Sequence, residues 1–131
     1  ELSAHVDALA RSGARAMLHG HPPFCVIASV DCHKLSCANE GRCHLDCKEP
    51  REVQGTPIVP GEVGAGAYGL CHTLPPALER SSRAIVHGHG LFALGRKDFN
   101  EAFASLLEVE RNCRELCLAR LAESFPQIGI S

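Results

Sequence analysis

The chain has 131 residues, which suffices for one domain with its own core but is too short for two ordinary domains. Its 13 Lys and Arg and 15 Asp and Glu residues give a net charge of −2. Without a basic block to neutralise phosphates, or an apolar run near the roughly 20 residues of a membrane span, the composition argues against nucleic acid and membrane as partners.

The first predicted elements alternate between helix and strand. Apolar residues recur at helical spacing over Leu2–Ser12, and the following Gly13 supplies a stop, so this stretch is predicted to be an amphipathic helix. RAMLHGH (15–21) is predicted to form a short buried strand that ends before two prolines. Because Pro suits the first turn of a helix, PFCVIASV (23–30) is interpreted as a short buried helix, with a strand as the alternative.

A Cys-rich stretch interrupts this pattern at about 31–54. Apolar periodicity disappears there, and the composition turns to Cys, His, Asn, Gly and charge, which is typical of a loop or insertion. One tetrahedral zinc could order such a stretch in place of a hydrophobic core, although the spacing does not match a C-x2-C knuckle. Two disulfides, or free thiols, are the alternatives. The candidate ligands are Cys32, Cys37, Cys43 and Cys47.

The second half of the chain is predicted to contain both strands and helices, like the first. TPIVPGE (56–62) is a short extended piece, and a Gly-rich run that matches no phosphate-binding motif leads into the helical CHTLPPALER (71–80). RAIVHGH (83–89) and LFALG (91–95) are predicted to be strands. Asp98 is predicted to be the N-cap of a long helix to about Ala122. Cys113 and Cys117 lie four apart on this helix, a spacing that can hold a metal, but they are interpreted as small hydrophobic residues. This mixture predicts a layered α/β domain.

The sequence His-Gly-His occurs twice, at 19–21 and at 87–89, each time after apolar residues. In a strand, residues i and i+2 point to the same face about 6.6 Å apart, so each pair would present two imidazoles side by side. Three neutral imidazoles with one open position form a typical catalytic zinc site. The repetition therefore favours a metal site, while the spacing leaves open which of the four His side chains is not a ligand.

The order of these motifs resembles the class II aldolase and adducin domain family. The resemblance rests on E-x-x-x-H at 1–5, H-G-H-P-P at 19–23, the later strand that ends in H-G, the following ALG, and a helix that opens FNEAF at 99–103. It spans nearly the whole chain except the Cys-rich insertion. It implies a three-layer α/β/α fold with a mixed, mostly antiparallel sheet, in one domain over residues 1–131.

The resemblance also assigns roles to individual residues. It implies that His19, His21 and His89 bind a divalent metal such as Zn²⁺, and that His87 is the His left over. Glu1 matches the family's acid that serves as metal ligand or catalytic base, and His5 matches a His often found one helical turn later. In that chemistry the metal binds substrate oxygens and stabilises an ene-diolate while the carboxylate moves a proton.

The family's phosphate-binding turns, which lie upstream of that acid, have no counterpart here. We therefore expect the sequence to be the C-terminal portion of a longer chain, with a truncated relative as the alternative. The sequence also lacks an initiator Met, which leaves a lost signal peptide open. These features leave both the substrate and the neighbouring segment undefined.

The resulting hypothesis is a metal-dependent lyase or isomerase that acts on a small hydroxy-carbonyl compound, with a sugar phosphate as one option. The resemblance also implies a homotetramer and a cytoplasmic location, and the reducing cytosol in turn favours zinc over disulfides in the Cys-rich loop. The alternative is an adducin-like assembly module without catalysis, stabilised by its Cys loop. Adducin-like members lack the metal-binding His set, so its presence favours the enzyme.

Overall fold

The computed structural model describes residues 2–32, 37–38, 41–45, 47, 50–61 and 66–126. In these ranges the chain forms four helices and five strands. They are α1 (Leu2–Ser12), β1 (Ala16–Gly20), α2 (Pro23–Val30), β2 (Arg51–Val53), β3 (Thr56–Val59), α3 (Leu70–Ser81), β4 (Arg83–Val86), β5 (Gly90–Gly95) and α4 (Phe99–Ser124). The predicted bounds of α1 and the helical interpretation of α2 are confirmed.

The strands form one sheet in the order β1-β5-β4-β3-β2. Three neighbouring pairs are antiparallel, and β3 with β4 is the parallel pair. The expected mixed, mostly antiparallel sheet is therefore confirmed. In the register of β1 and β5, His19 lies opposite Phe92 and Gly20 opposite Leu91. This pairing sets the end of β1 beside the start of β5.

Helices cover both faces of the sheet, because successive strand residues point to opposite sides. Ala84, Val86 and Phe92 pack in one core with residues of α1 and α3, whereas Ile85 and Leu91 pack in a second core with residues of α2 and α4. The three-layer α/β/α architecture is thus confirmed. No helix among the described residues has the length and apolar character needed to cross a membrane.

The start of α4 follows its predicted capping chemistry. The backbone N–H of Glu101 donates to Oδ1 of Asp98 at 3.0 Å, and the Glu101 carboxylate accepts from the N–H of Lys97 at 2.9 Å. These reciprocal bonds satisfy N–H groups that have no partner inside the helix. Asp98 is therefore the N-cap, as predicted, and α4 ends at Ser124, two residues beyond the predicted end.

Two predicted segments differ from the structure. The predicted strand at 83–89 ends at Val86, and residues 87–89 form a turn in which Gly88 has a φ of +66°. The stretch 31–54, predicted to be a loop, ends in strand β2. Arg51 of that strand donates to the carbonyl oxygens of Ser29 and Asp31 at 2.7 and 3.0 Å. It thereby satisfies carbonyl groups at the end of α2 that the helix leaves unpaired.

Candidate metal centre

Three imidazoles converge where β1 ends and β5 begins. His19 lies in β1, His21 follows that strand directly, and His89 closes the turn before β5. Nε2 of His19 lies 3.1 Å from Nε2 of His21 and 3.2 Å from Nε2 of His89. Within the described part of the chain, these residues are the group whose ligand atoms all lie within 4.8 Å of one another.

These distances fit a metal ion. Four ligands placed tetrahedrally at zinc–nitrogen distances of about 2.0–2.1 Å are separated from one another by about 3.3 Å. The nitrogen separations of 3.1 and 3.2 Å around His19 are close to that value. Three imidazoles are also a donor set that suits zinc and other divalent transition metals. The residues present therefore fit the metal that the sequence suggested.

The His19 ring is fixed by its surroundings. Its Nδ1 lies 3.1 Å from the carbonyl oxygen of Leu91, and because a carbonyl can only accept, Nδ1 carries the proton. In the neutral ring this tautomer leaves a lone pair on Nε2, the atom that faces the other two imidazoles. The ring also stacks on Phe92, with centroids 4.0 Å apart, and on His89, with centroids 5.1 Å apart.

The close approach of the two strands depends on Gly90. A Cβ at this position would overlap the carbonyl oxygen of Gly20 and lie 2.7 Å from Cδ2 of His21. Any larger residue would therefore push the end of β1 away from β5. This requirement explains a Gly directly after the third imidazole.

The second His-Gly-His motif does not use its first imidazole in this group. The turn at Gly88 separates His87 from His89, so the prediction that both side chains project from one strand face is wrong for this motif. Burial, together with the nearby charges of Arg51 and His44, lowers the pKa of His87. The family-based assignment of His87 as the residue outside the metal group agrees with this geometry.

The remaining predicted site residues have different outcomes. Glu1 lies outside the described residues, so its role stays a prediction. Cys32, Cys37, Cys43 and Cys47 are described, but stretches outside the described ranges separate them, and they do not belong to the converging group. Their structural zinc also stays a prediction.

Two further thiols lie in the core behind the site. Cys25 of α2 and Cys113 of α4 are fully buried and hydrogen-bond each other, and this bond together with burial raises the pKa of the Cys25 thiol far above its usual value. Cys117 is half-buried against the same core. The interpretation of Cys113 as a small hydrophobic residue is confirmed.

Sequence reasoning missed the role of Glu110. Both carboxylate oxygens of this α4 residue accept bonds from the start of α2, from the N–H of Phe24 at 3.1 Å and from that of Cys25 at 3.0 Å. The signal was indirect: a helix that begins with two prolines and has no Ser, Thr, Asp or Asn cap needs an acceptor from elsewhere. Glu110 thereby fixes α2, which follows His21 after a single residue.

Comparisons with known proteins identify a family and a similar fold. The family model described as "Class II Aldolase and Adducin N-terminal domain" matches residues 1–117. The structure is similar to that of L-fuculose-1-phosphate aldolase from Thermus thermophilus, with a TM-score of 0.69 and 23% sequence identity. That similarity covers 95% of this chain but only 63% of the aldolase chain. The search of curated proteins found no match.

Proposed function

Because the chain belongs to the class II aldolase and adducin N-terminal domain family, we propose that it is a divalent-metal-dependent lyase or isomerase. The single observation that supports this most strongly is the convergence of the three Nε2 atoms of His19, His21 and His89. The proposed substrate is a small hydroxy-carbonyl compound, with sugar phosphates as one class. The relative of similar structure carries the name of a sugar-phosphate aldolase.

The proposed chemistry divides between the metal and the chain. A zinc ion, or another divalent ion held by the three imidazoles, would polarise a substrate carbonyl and favour its ene-diolate form. The carbonyl of Leu91 keeps the proton of His19 on Nδ1 and so directs the lone pair of Nε2 to the site. His21 is exposed, so the group lies within reach of a ligand from solvent. Glu1 is proposed as the base that moves the substrate proton.

Metal content is the first test of this proposal. We expect the purified protein to contain a zinc-like ion at the three-His site and His89→Ala to lose one equivalent. His87→Ala is the matched control, because it removes a His from the same motif but not from the converging group. Any ion that His89→Ala retains would indicate the proposed second site in the Cys loop. A protein without metal, or equal contents in both variants, would contradict the site and favour the adducin-like assembly module.

Proton exchange tests the catalytic part. NMR of dihydroxyacetone phosphate in D₂O should show metal-dependent loss of the proton next to the carbonyl. Glu1→Gln should slow this exchange at least about 100-fold while it retains the metal, since general acid–base catalysis contributes about 100-fold or more. Unchanged exchange in Glu1→Gln would contradict the assignment of Glu1 but not the metal site.

We further propose that residues 1–131 form one domain, with the insertion at 31–54, that assembles as a cytoplasmic homo-oligomer, a tetramer by family resemblance. An apolar stripe on α4 supports assembly. Phe99, Phe103 and Leu107 recur every four residues on this helix, and each is about half-exposed. Light scattering should show that the parent protein is larger than a monomer and that Phe103→Glu dissociates this assembly. A monomeric parent protein would contradict the assembly.

A further inference from the structure

His5 lies beside the metal centre without belonging to its three converging imidazoles. This α1 residue meets the ring of Phe92 edge-on, with centroids 5.2 Å apart, and the ring of His19 edge-on, with centroids 6.2 Å apart. Because Phe92 also stacks on His19, the three rings contact one another. His5 is therefore a direct neighbour of a proposed ligand.

Within the described part of the chain, Nε2 of the His5 ring is buried and forms no hydrogen bond. Burying a polar nitrogen without a partner is unfavourable, and nearly all buried polar groups in folded proteins are paired. A phenyl ring at this position could make the same edge contacts without that penalty. The imidazole therefore suggests a partner that arrives with a ligand.

We propose that Nε2 of His5 donates a hydrogen bond to an oxygen of the hydroxy-carbonyl substrate at the three-His site, an inference that rests on the proposed function. The His5 and His19 rings lie edge-on with centroids 6.2 Å apart, which places the His5 ring next to the three-His site where the substrate oxygens would bind. A site built to bond a substrate oxygen discriminates strongly, because its own buried donor stays unpaired with any ligand that lacks that oxygen. His5 is thus assigned to substrate binding and not to holding the metal.

Two substitutions distinguish the contribution of the aromatic ring of His5 from that of its N–H donor. His5→Phe keeps the aromatic contacts and removes the donor, whereas His5→Gln keeps an N–H donor and loses the ring. His72→Phe is the matched control, since His72 is an exposed residue of α3. The measurements are the melting temperature of the metal-free protein, the metal content, and the calorimetric Kd of the metal-loaded protein for glycolohydroxamate, whose adjacent oxygens mimic an ene-diolate.

We expect metal-free His5→Phe to melt at the same temperature as the parent protein or above it, and to retain one metal equivalent. Its Kd for glycolohydroxamate should rise at least tenfold, with partial recovery in His5→Gln and no change in His72→Phe. Equal hydroxamate affinity in His5→Phe and the parent, or failure of His5→Phe to fold, would overturn the assignment and leave the proposed function standing. A parent protein that binds no metal would overturn both.

Discussion

Removal of the Glu110 carboxylate should destabilise the protein and loosen the segment that carries His21. An α-helix leaves its first four N–H positions without partners inside the helix. In α2 two of these positions are Pro22-Pro23, which have no N–H, and the other two, Phe24 and Cys25, both donate to Glu110. One side chain therefore satisfies every N–H group at this helix terminus.

The size of the effect follows from these two bonds. A helix cap contributes about 1–2 kcal/mol, and hydrogen bonds to a charged group are stronger, at about 1.5–3 kcal/mol each. Because Glu110 is only half-buried, we expect Glu110→Ala to lower the free energy of unfolding by about 2–3 kcal/mol. Glu110→Gln keeps one carbonyl acceptor and loses the interaction of the charge with the helix dipole, so it should cost about 1 kcal/mol.

Urea denaturation followed by circular dichroism measures this difference. Glu115→Ala is the control, since Glu115 is an exposed residue of the same helix, and its free energy of unfolding should stay within about 0.5 kcal/mol of the parent protein. Zinc affinity, measured in parallel, should fall in Glu110→Ala because α2 begins two residues after His21. The reasoning is refuted if Glu110→Ala is as stable as the control, or if Gln costs as much as Ala.

Three further predictions concern packing, thiol chemistry and pH. Gly90→Ala should cost about 1–3 kcal/mol in urea denaturation and weaken zinc binding, because its Cβ would collide with His21; unchanged metal affinity would contradict this. Iodoacetamide labelling read by mass spectrometry should leave Cys25 unmodified in the native protein, since its hydrogen bond to a neighbouring thiol and its burial raise its pKa; native labelling as fast as that of exposed thiols would disprove it. The hydrogen bond from Arg83 lowers the pKa of Glu108 below 4.5, so Glu108→Gln should cost less than about 1 kcal/mol at pH 7, and this difference should vanish as the pH falls through and below 4.5; a pH-independent difference would argue against the pair.

The sequence alone determined most of the secondary structure, because the relevant signals are local. Apolar spacing and a glycine stop defined α1, two prolines at the start favoured a helix for α2, and Asp98 marked the start of α4. Each of these depends on residues within one or two turns. Order and spacing of short motifs were likewise sufficient to indicate the family.

The sequence predicted only part of the candidate site. The two His-Gly-His motifs pointed to a metal centre, and family resemblance selected His19, His21 and His89. The sequence His-Gly-His at 87–89, however, does not distinguish a turn at Gly88 from a continued strand. Only the antiparallel pairing of β4 with β5 requires the chain to reverse there. Periodicity could therefore not show that the side chains of His87 and His89 do not project from one strand face.

Contacts between distant residues were decided by the tertiary structure. Glu110 caps a helix 85 residues earlier in the chain, and the Nε2 of His5 is buried through packing against rings from two different strands. The antiparallel register of β1 with β5 brings His89 to His19 across 70 residues. A linear sequence fixes which side chains share one helix or strand face, whereas the packing of whole elements determines which faces meet.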